Sequence, residues 1–240
     1  MKKINLSSAS SSSLFQSTGT GVSRLFSTRG LLTRADLKTN KFFWLLACLL
    51  ACCWIYGWYY CIDRQDWIIE NLLVVICLSV LVITRKWHRF SNLSYLCIFL
   101  FVLLHLYGAF YAYTQNAFGN WLQNKFELWR NPYDRIVHFS FGLFMAYPFR
   151  ELLINKFRVS SRASWLLPVE IAFSFGTVFE LIEWGVSVVT TKETGETYVA
   201  TQGDPWDAHK DILLAAVGAA VCMLISFVFS CRKNNNEAPD

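Results

Sequence analysis

The chain has 240 residues, 54% of them hydrophobic, with 10 Trp and a formal net charge of +5. Together with a mean hydropathy of +0.33, this is too apolar and aromatic for an ordinary soluble domain. The basic residues form no nucleic-acid surface, because they fall in separate short connections rather than on one face.

Residues 1–41 form the first region. They are rich in Ser, carry seven basic residues, and have Asp36 as their one acid. No apolar core follows the basic start, so the segment does not read as a secretory signal. Its composition overlaps that of mitochondrial transit peptides, but a disordered basic cytoplasmic tail attracted to anionic lipid is the simpler reading. Six apolar stretches follow, near 42–60, 67–84, 93–114, 134–152, 164–190 and 211–230. Each is close to the roughly 20 residues a helix needs to cross a bilayer core. The expected fold is all-α, a polytopic membrane helical bundle of about six transmembrane helices over residues 42–230, with 231–240 as a second disordered tail. Trp54, Trp58, Tyr59, Tyr60, Trp121 and Trp129 fit an outer aromatic belt. Of the eight Cys, six lie within the apolar stretches and none forms a C-x-x-C pair. They read as packing residues, not as soft-metal ligands.

Charge sets the expected topology. Sixteen of the 22 Lys and Arg lie in 1–41, 85–89, 150–162 and 232–233, which are alternate connections and both chain ends. The positive-inside rule then places both termini in the cytoplasm of a bacterial cell, with the bundle in its cytoplasmic (inner) membrane and the bilayer as its partner. Most acids fall on the opposite side, and acids contribute little to topology, so they call for another explanation.

That explanation is a polar site. Asp134 and His138 are four residues apart on one helix face in the fourth stretch. Glu180 and Glu183 are three apart in the fifth, and Asp207 and Asp211 four apart at the start of the sixth. With alternating span directions all lie at a similar outer depth; Glu183 is roughly 9 Å from the end of its span at the helical rise. Ionisable groups at membrane depth are costly, so they should face the bundle interior or a wet pocket, and they mark function by default. The expected catalytic residues are Glu180, Glu183, His138 and Asp134. Arg135, Asn120, Gln202, Asp204 and Asp207 are the expected binding residues. His138, Glu183 and Asp211 are candidate metal ligands, because carboxylates with a histidine suit a hard or borderline divalent cation. A Glu in the same setting suits general acid–base work. The plainer alternative has Asp134–Arg135 and Asp207–Lys210 as helix-end pairs, with Asp side chains as caps. His105, mid-span in the third stretch, reads first as a hydrogen-bonded structural histidine. There is no Gly-rich phosphate loop, Cys-His zinc signature or G-x-S-x-G elbow.

The runs GNWLQNKF (119–126), NPYDRIVHFSFG (131–142), FELIEW (179–184) and TQGDPWDAHKDILLAAVGA (201–219) resemble the YjdF-type bacterial inner-membrane proteins of uncharacterised function. The resemblance covers roughly 45–230 and implies a multi-helix integral membrane protein without an established reaction. A more distant similarity is to VanZ-like membrane proteins. Asp134, His138, Glu180, Asp211 and Gly218 match that pattern, while Glu183 and Ala215 stand where Gln and Asn are usual.

The expected function is a membrane protein whose outer-leaflet polar site binds or acts on a lipid-linked or envelope molecule. A metal-dependent hydrolase or transferase is its sharper form. A small transporter or proton-coupled carrier and a non-catalytic scaffold are the alternatives. The inner halves of the fourth and sixth stretches (141–148 and 212–229) are almost wholly apolar, which argues against a polar through-path.

Overall fold

A computed structural model of the chain describes residues 40–85, 87–189 and 201–236. Of the expected tails at 1–41 and 231–240, residues 1–39 and 237–240 lie outside the described residues, whereas 40–41 open the first helix and 231–236 continue the last one. Among the described residues there are seven α-helices and no strand: α1 (Asn40–Tyr60), α2 (Arg64–Thr84), α3 (Asn92–Phe110), α4 (Ala117–Lys125), α5 (Tyr133–Asn155), α6 (Ala163–Val189) and α7 (Asp207–Asn236). All six expected apolar stretches are helical.

Helix starts follow local chemistry. The Asp63 carboxylate accepts from the backbone N–H groups of Gln65 (2.8 Å) and Asp66 (3.0 Å), which would otherwise be orphaned at the head of α2. Ser91 caps α3 through Ser94 N–H, and Asn116 caps α4 through Gly119 N–H. The third stretch stops at Phe110 rather than 114, because Ala112 and Tyr113 turn into the left-handed region at φ 47° and 49°. The expected loop around Asn120 is the nine-residue α4.

Five helices (α1, α2, α3, α6 and α7) are long and apolar enough to cross a membrane. At 23 residues α5 is also long enough, but it carries Asp134, Arg135, Arg150 and Glu151. It can carry them because it is the interior helix, packed against α3, α6 and α7. α3 in turn holds α1 and α2. Large apolar side chains such as Leu45, Val80, Leu166, Leu181 and Leu213 point outward, as a lipid-facing surface requires.

The α5–α7 crossing is made by small residues. A Cβ on Gly142 would overlap the Ala215 carbonyl oxygen, and one on Gly218 would overlap the Phe139 carbonyl oxygen. Ala146, Ala172, Ala215 and Ala219 are fully buried around that crossing. Close backbone approach replaces the hydrophobic driving force that lipid does not supply. It also fixes the register that brings the polar ends of α5, α6 and α7 together.

Candidate functional site

Those ends enclose a cavity of about 360 Å³, lined by Asp134, Glu180, Glu183, Thr201, Gly203, Asp204, Pro205, Asp207, Ala208 and Asp211. Six of these ten residues are acids, brought in from three helices and one loop. His138 stands beside it. Its Nε2 is 3.3 Å from Glu180 Oε1 and 3.6 Å from Asp134 Oδ1. Ligand atoms of Asp134, His138 and Asp211 all lie within 4.8 Å of one another, the spacing that a single metal ion can bridge. Glu183 is buried and lines the same cavity but stands outside that set of three.

The cations of the site are spent on the loop side. Arg130 pairs with Asp207 and lies 3.8 Å from Asp134 Oδ2. Arg135 pairs with Asp204 and reaches Asp207 Oδ1 at 3.3 Å. Lys210 Nζ donates to Asp204 Oδ2 at 2.6 Å. Arg135 and Lys210 thus pair with Asp204 rather than in the helix-end pairs Asp134–Arg135 and Asp207–Lys210 of the plainer alternative. Arg135 and Lys210 reach the Asp204 turn before α7, one from across the cavity and one from a turn and a half ahead. Asp204 also accepts from Trp206 N–H at 3.1 Å. The Lys210 hydrogen bond, with help from Trp206 and Arg135, lowers the Asp204 carboxyl to about 2.

Asp211 is left over. It is 1% exposed, and its Oδ1 has no hydrogen-bond partner. A buried carboxylate oxygen without a donor or a cation is expensive, so its position in this cavity calls for an explanation.

The two remaining expected binding residues hold the loop and not the cavity. Gln202, at φ 50°, accepts from Asn131 N–H (3.0 Å) and donates to the Asn131 carbonyl (3.1 Å). Asn120 Oδ1 accepts from Asn131 Nδ2 at 2.8 Å. Asn131 itself is buried and also bonds the Thr114 and Asn116 carbonyls and Tyr133 N–H. This knot fixes the entrance to α5, and so the position of Asp134.

Two charged residues in and beside the site escaped the sequence reading. Arg130 looks there like one of the few basic residues on the acidic side, yet it is buried and neutralises Asp207. Glu70, on α2, looks like one more outer acid. It is buried beside the site, with Oε2 unpartnered and 3.7 Å from His105 Nε2. His105 Nε2 also faces the Glu70 carbonyl at 3.3 Å, and its Nδ1 lies 2.7 Å from the Tyr113 hydroxyl. With Nε2–H donating to the carbonyl, Nδ1 accepts from Tyr113. The available signal was the spacing Asp66–Glu70, one helical turn inside an apolar run.

A family described as predicted membrane protein (DUF2238) matches residues 42–232. The inner membrane protein YjdF of Escherichia coli (strain K12) is 31% identical over 172 residues, or 71% of this chain and 82% of that relative. No solved structure matches the chain.

Proposed function

We propose, for a chain that belongs to the DUF2238 family of predicted membrane proteins, that its acidic cavity holds a divalent cation and acts there on a lipid-linked or envelope molecule. The apolar helices and the inner-membrane relative together support a multi-pass protein of an inner membrane. Within that setting the charge pattern favours both termini in the cytoplasm and the cavity at the outer face.

The observation that carries the reading is the buried Asp211, whose Oδ1 is unpartnered and whose carboxylate offers an oxygen within 4.8 Å of ligand atoms of Asp134 and His138. Carboxylate oxygens and an imidazole suit Mn²⁺, Zn²⁺ or Mg²⁺, and a cation would balance an acidic excess that Arg130, Arg135 and Lys210 leave uncovered. Such an ion supplies a polarised oxygen or an activated water. Glu180, against His138, and Glu183 are placed to take or give a proton beside it. Lys210, largely exposed, and Arg135 lie toward the cavity mouth, where an anionic headgroup such as a phosphate would rest. Leu181, Trp184 and Val188 are exposed on α6 and offer the flanking apolar face that a lipid tail needs.

A hydrolase or transferase fits better than a transporter. Below the cavity, Gly142, Gly218 and four fully buried alanines close the α5–α6–α7 contact. The polar extension through Glu70 and His105 runs sideways to α2 and α3 rather than across the bilayer.

Metal content of detergent-purified full-length protein, prepared without chelator, tests this. About one divalent ion per chain in wild type, lost in His138→Ala and Asp211→Ala, is the expected result. A wild type that carries no metal and does not bind added Zn²⁺, Mn²⁺ or Mg²⁺ overturns the metal reading.

A further inference from the structure

The far end of α5 presents the reverse problem. Arg150 is 1% exposed, and its Nε and Nη1 have no hydrogen-bond partner. Its guanidinium lies 3.5 Å above the Trp165 ring of α6. That stacking offsets part of the desolvation cost but satisfies no N–H group.

No acid at this end answers it. Glu151 is the next residue, but about 100° of helical turn points it toward α3. There both its oxygens are committed: Oε1 accepts from Ser91 N–H (2.7 Å), and Oε2 accepts from the Ser91 hydroxyl (2.8 Å) and the Ser94 hydroxyl. Glu170 is exposed on α6, and among the described residues Arg150 forms no ion pair. The neighbouring unpartnered groups are donors as well. Trp165 Nε1 is buried without an acceptor, and so is the Ser161 hydroxyl one turn before it. Arg150 and Trp165 thus bring unpartnered donors into contact, with the Ser161 hydroxyl four residues before Trp165 in sequence, and an anion would suit this set.

We propose that Arg150, Trp165 and Ser161 bind a phosphate oxyanion, that of an anionic phospholipid headgroup in the leaflet opposite the acidic cavity. A guanidinium presents paired N–H groups that match phosphate oxygens. Lys156 and Arg158 are exposed in the adjoining connection and supply the surrounding positive field. Phe157 and Leu166 are exposed beside it and suit acyl chains. The site is about 18 Å along α5 from His138 and is independent of the chemistry there.

The test uses the full chain, delipidated in dodecyl maltoside, and reads the melting temperature with added dioleoyl phosphatidylglycerol, dioleoyl phosphatidylcholine or inorganic phosphate. Phosphatidylglycerol should raise the wild-type midpoint by roughly 5 °C and phosphatidylcholine by much less. The shift should vanish in Arg150→Met and at least halve in Ser161→Ala and in Trp165→Phe, which keeps an aromatic face under the guanidinium but loses the indole N–H and part of the ring. If millimolar inorganic phosphate reproduces the whole shift with the same sensitivities, the site stands and its ligand is a soluble phosphate rather than a lipid. If neither phosphatidylglycerol nor phosphate moves the wild type, or if both Trp165→Phe and Ser161→Ala respond as fully as wild type, the proposal is wrong.

Discussion

Asp211→Asn gives the sharpest test of the cavity, because its effect on stability should change with the metal. Asp211 is buried, its Oδ1 has no partner, and Asp134 and Asp207 are close neighbours in the same cavity. In chelator, the amide removes an acid that nothing compensates. The cost of a buried unsatisfied group is about 1–3 kcal/mol, so the variant should melt at or slightly above wild type. With a metal at about 100 times its Kd, wild type gains about 2.7 kcal/mol, which for a chain of this size is roughly 5–10 °C. Asp211→Asn offers a weak neutral oxygen in place of a carboxylate and should gain almost nothing. The order of the two midpoints therefore reverses between EDTA and Mn²⁺ or Zn²⁺. Intrinsic Trp fluorescence during a thermal ramp in detergent reads both. A variant that melts well below wild type in EDTA, and a wild type that ignores the metal, would refute the reasoning and make Asp211 a structural residue.

Three further outcomes follow from the same geometry. Gly142→Leu should cost at least about 1–3 kcal/mol by forcing α5 and α7 apart, since the obstacle is the Ala215 backbone and not a movable side chain; thermal unfolding against Gly142→Ala grades the effect by size. Arg130→Met leaves Asp207 with Arg135 alone and weakens the hold on Asp134, a loss of up to about 3–5 kcal/mol. Adding Asp207→Asn should restore much of it, and a double variant no better than the single one would exclude the pairing as the cause. Asp204 gives a pH signature. Its folded carboxyl sits at about 2, below the unfolded value near 3.8, so its contribution is present above about pH 4 and is lost as pH falls from about 4 to 2. Lys210→Ala removes the principal cause of that lowering, and the melting temperature should then fall less steeply over the same window.

The six helices could be read from the sequence because apolar length is a local property, and the match extends to the ends of α1, α3, α5 and α6 within a few residues. The acids of the cavity could be read because charge is rare in such stretches. Pairing could not. Which carboxylate Arg135 takes depends on how far the 201–206 turn folds back over α5, and that depends on the Gln202–Asn131 bonds, which are 71 residues apart in sequence. Arg130 was hidden for the same reason. Of the candidate metal ligands His138, Glu183 and Asp211, the α5–α7 crossing at Gly142 and Gly218 brings Asp211 and His138 together with Asp134, while Glu183 lines the same cavity outside that set. Helix spacing fixes which side chains share a face, and interhelical packing decides which faces meet.

The two ends of α5 also constrain each other's interpretation. One holds a buried carboxylate oxygen without a cation, the other a buried guanidinium without an anion. It is tempting to let them balance. Yet at about 18 Å and an effective dielectric near 20, their attraction is only about 1 kcal/mol. Withdrawing each ion from water costs several kcal/mol. Opposite charges at that separation cannot neutralise one another within the protein, and between them α5 carries no other charged side chain. Each end is therefore balanced locally, by a bound counter-ion or, at the acidic end, by a proton. That is why the cation at one end and the phosphate at the other are separate proposals, and why Arg150→Met should leave metal binding intact while Asp211→Asn leaves the lipid response intact.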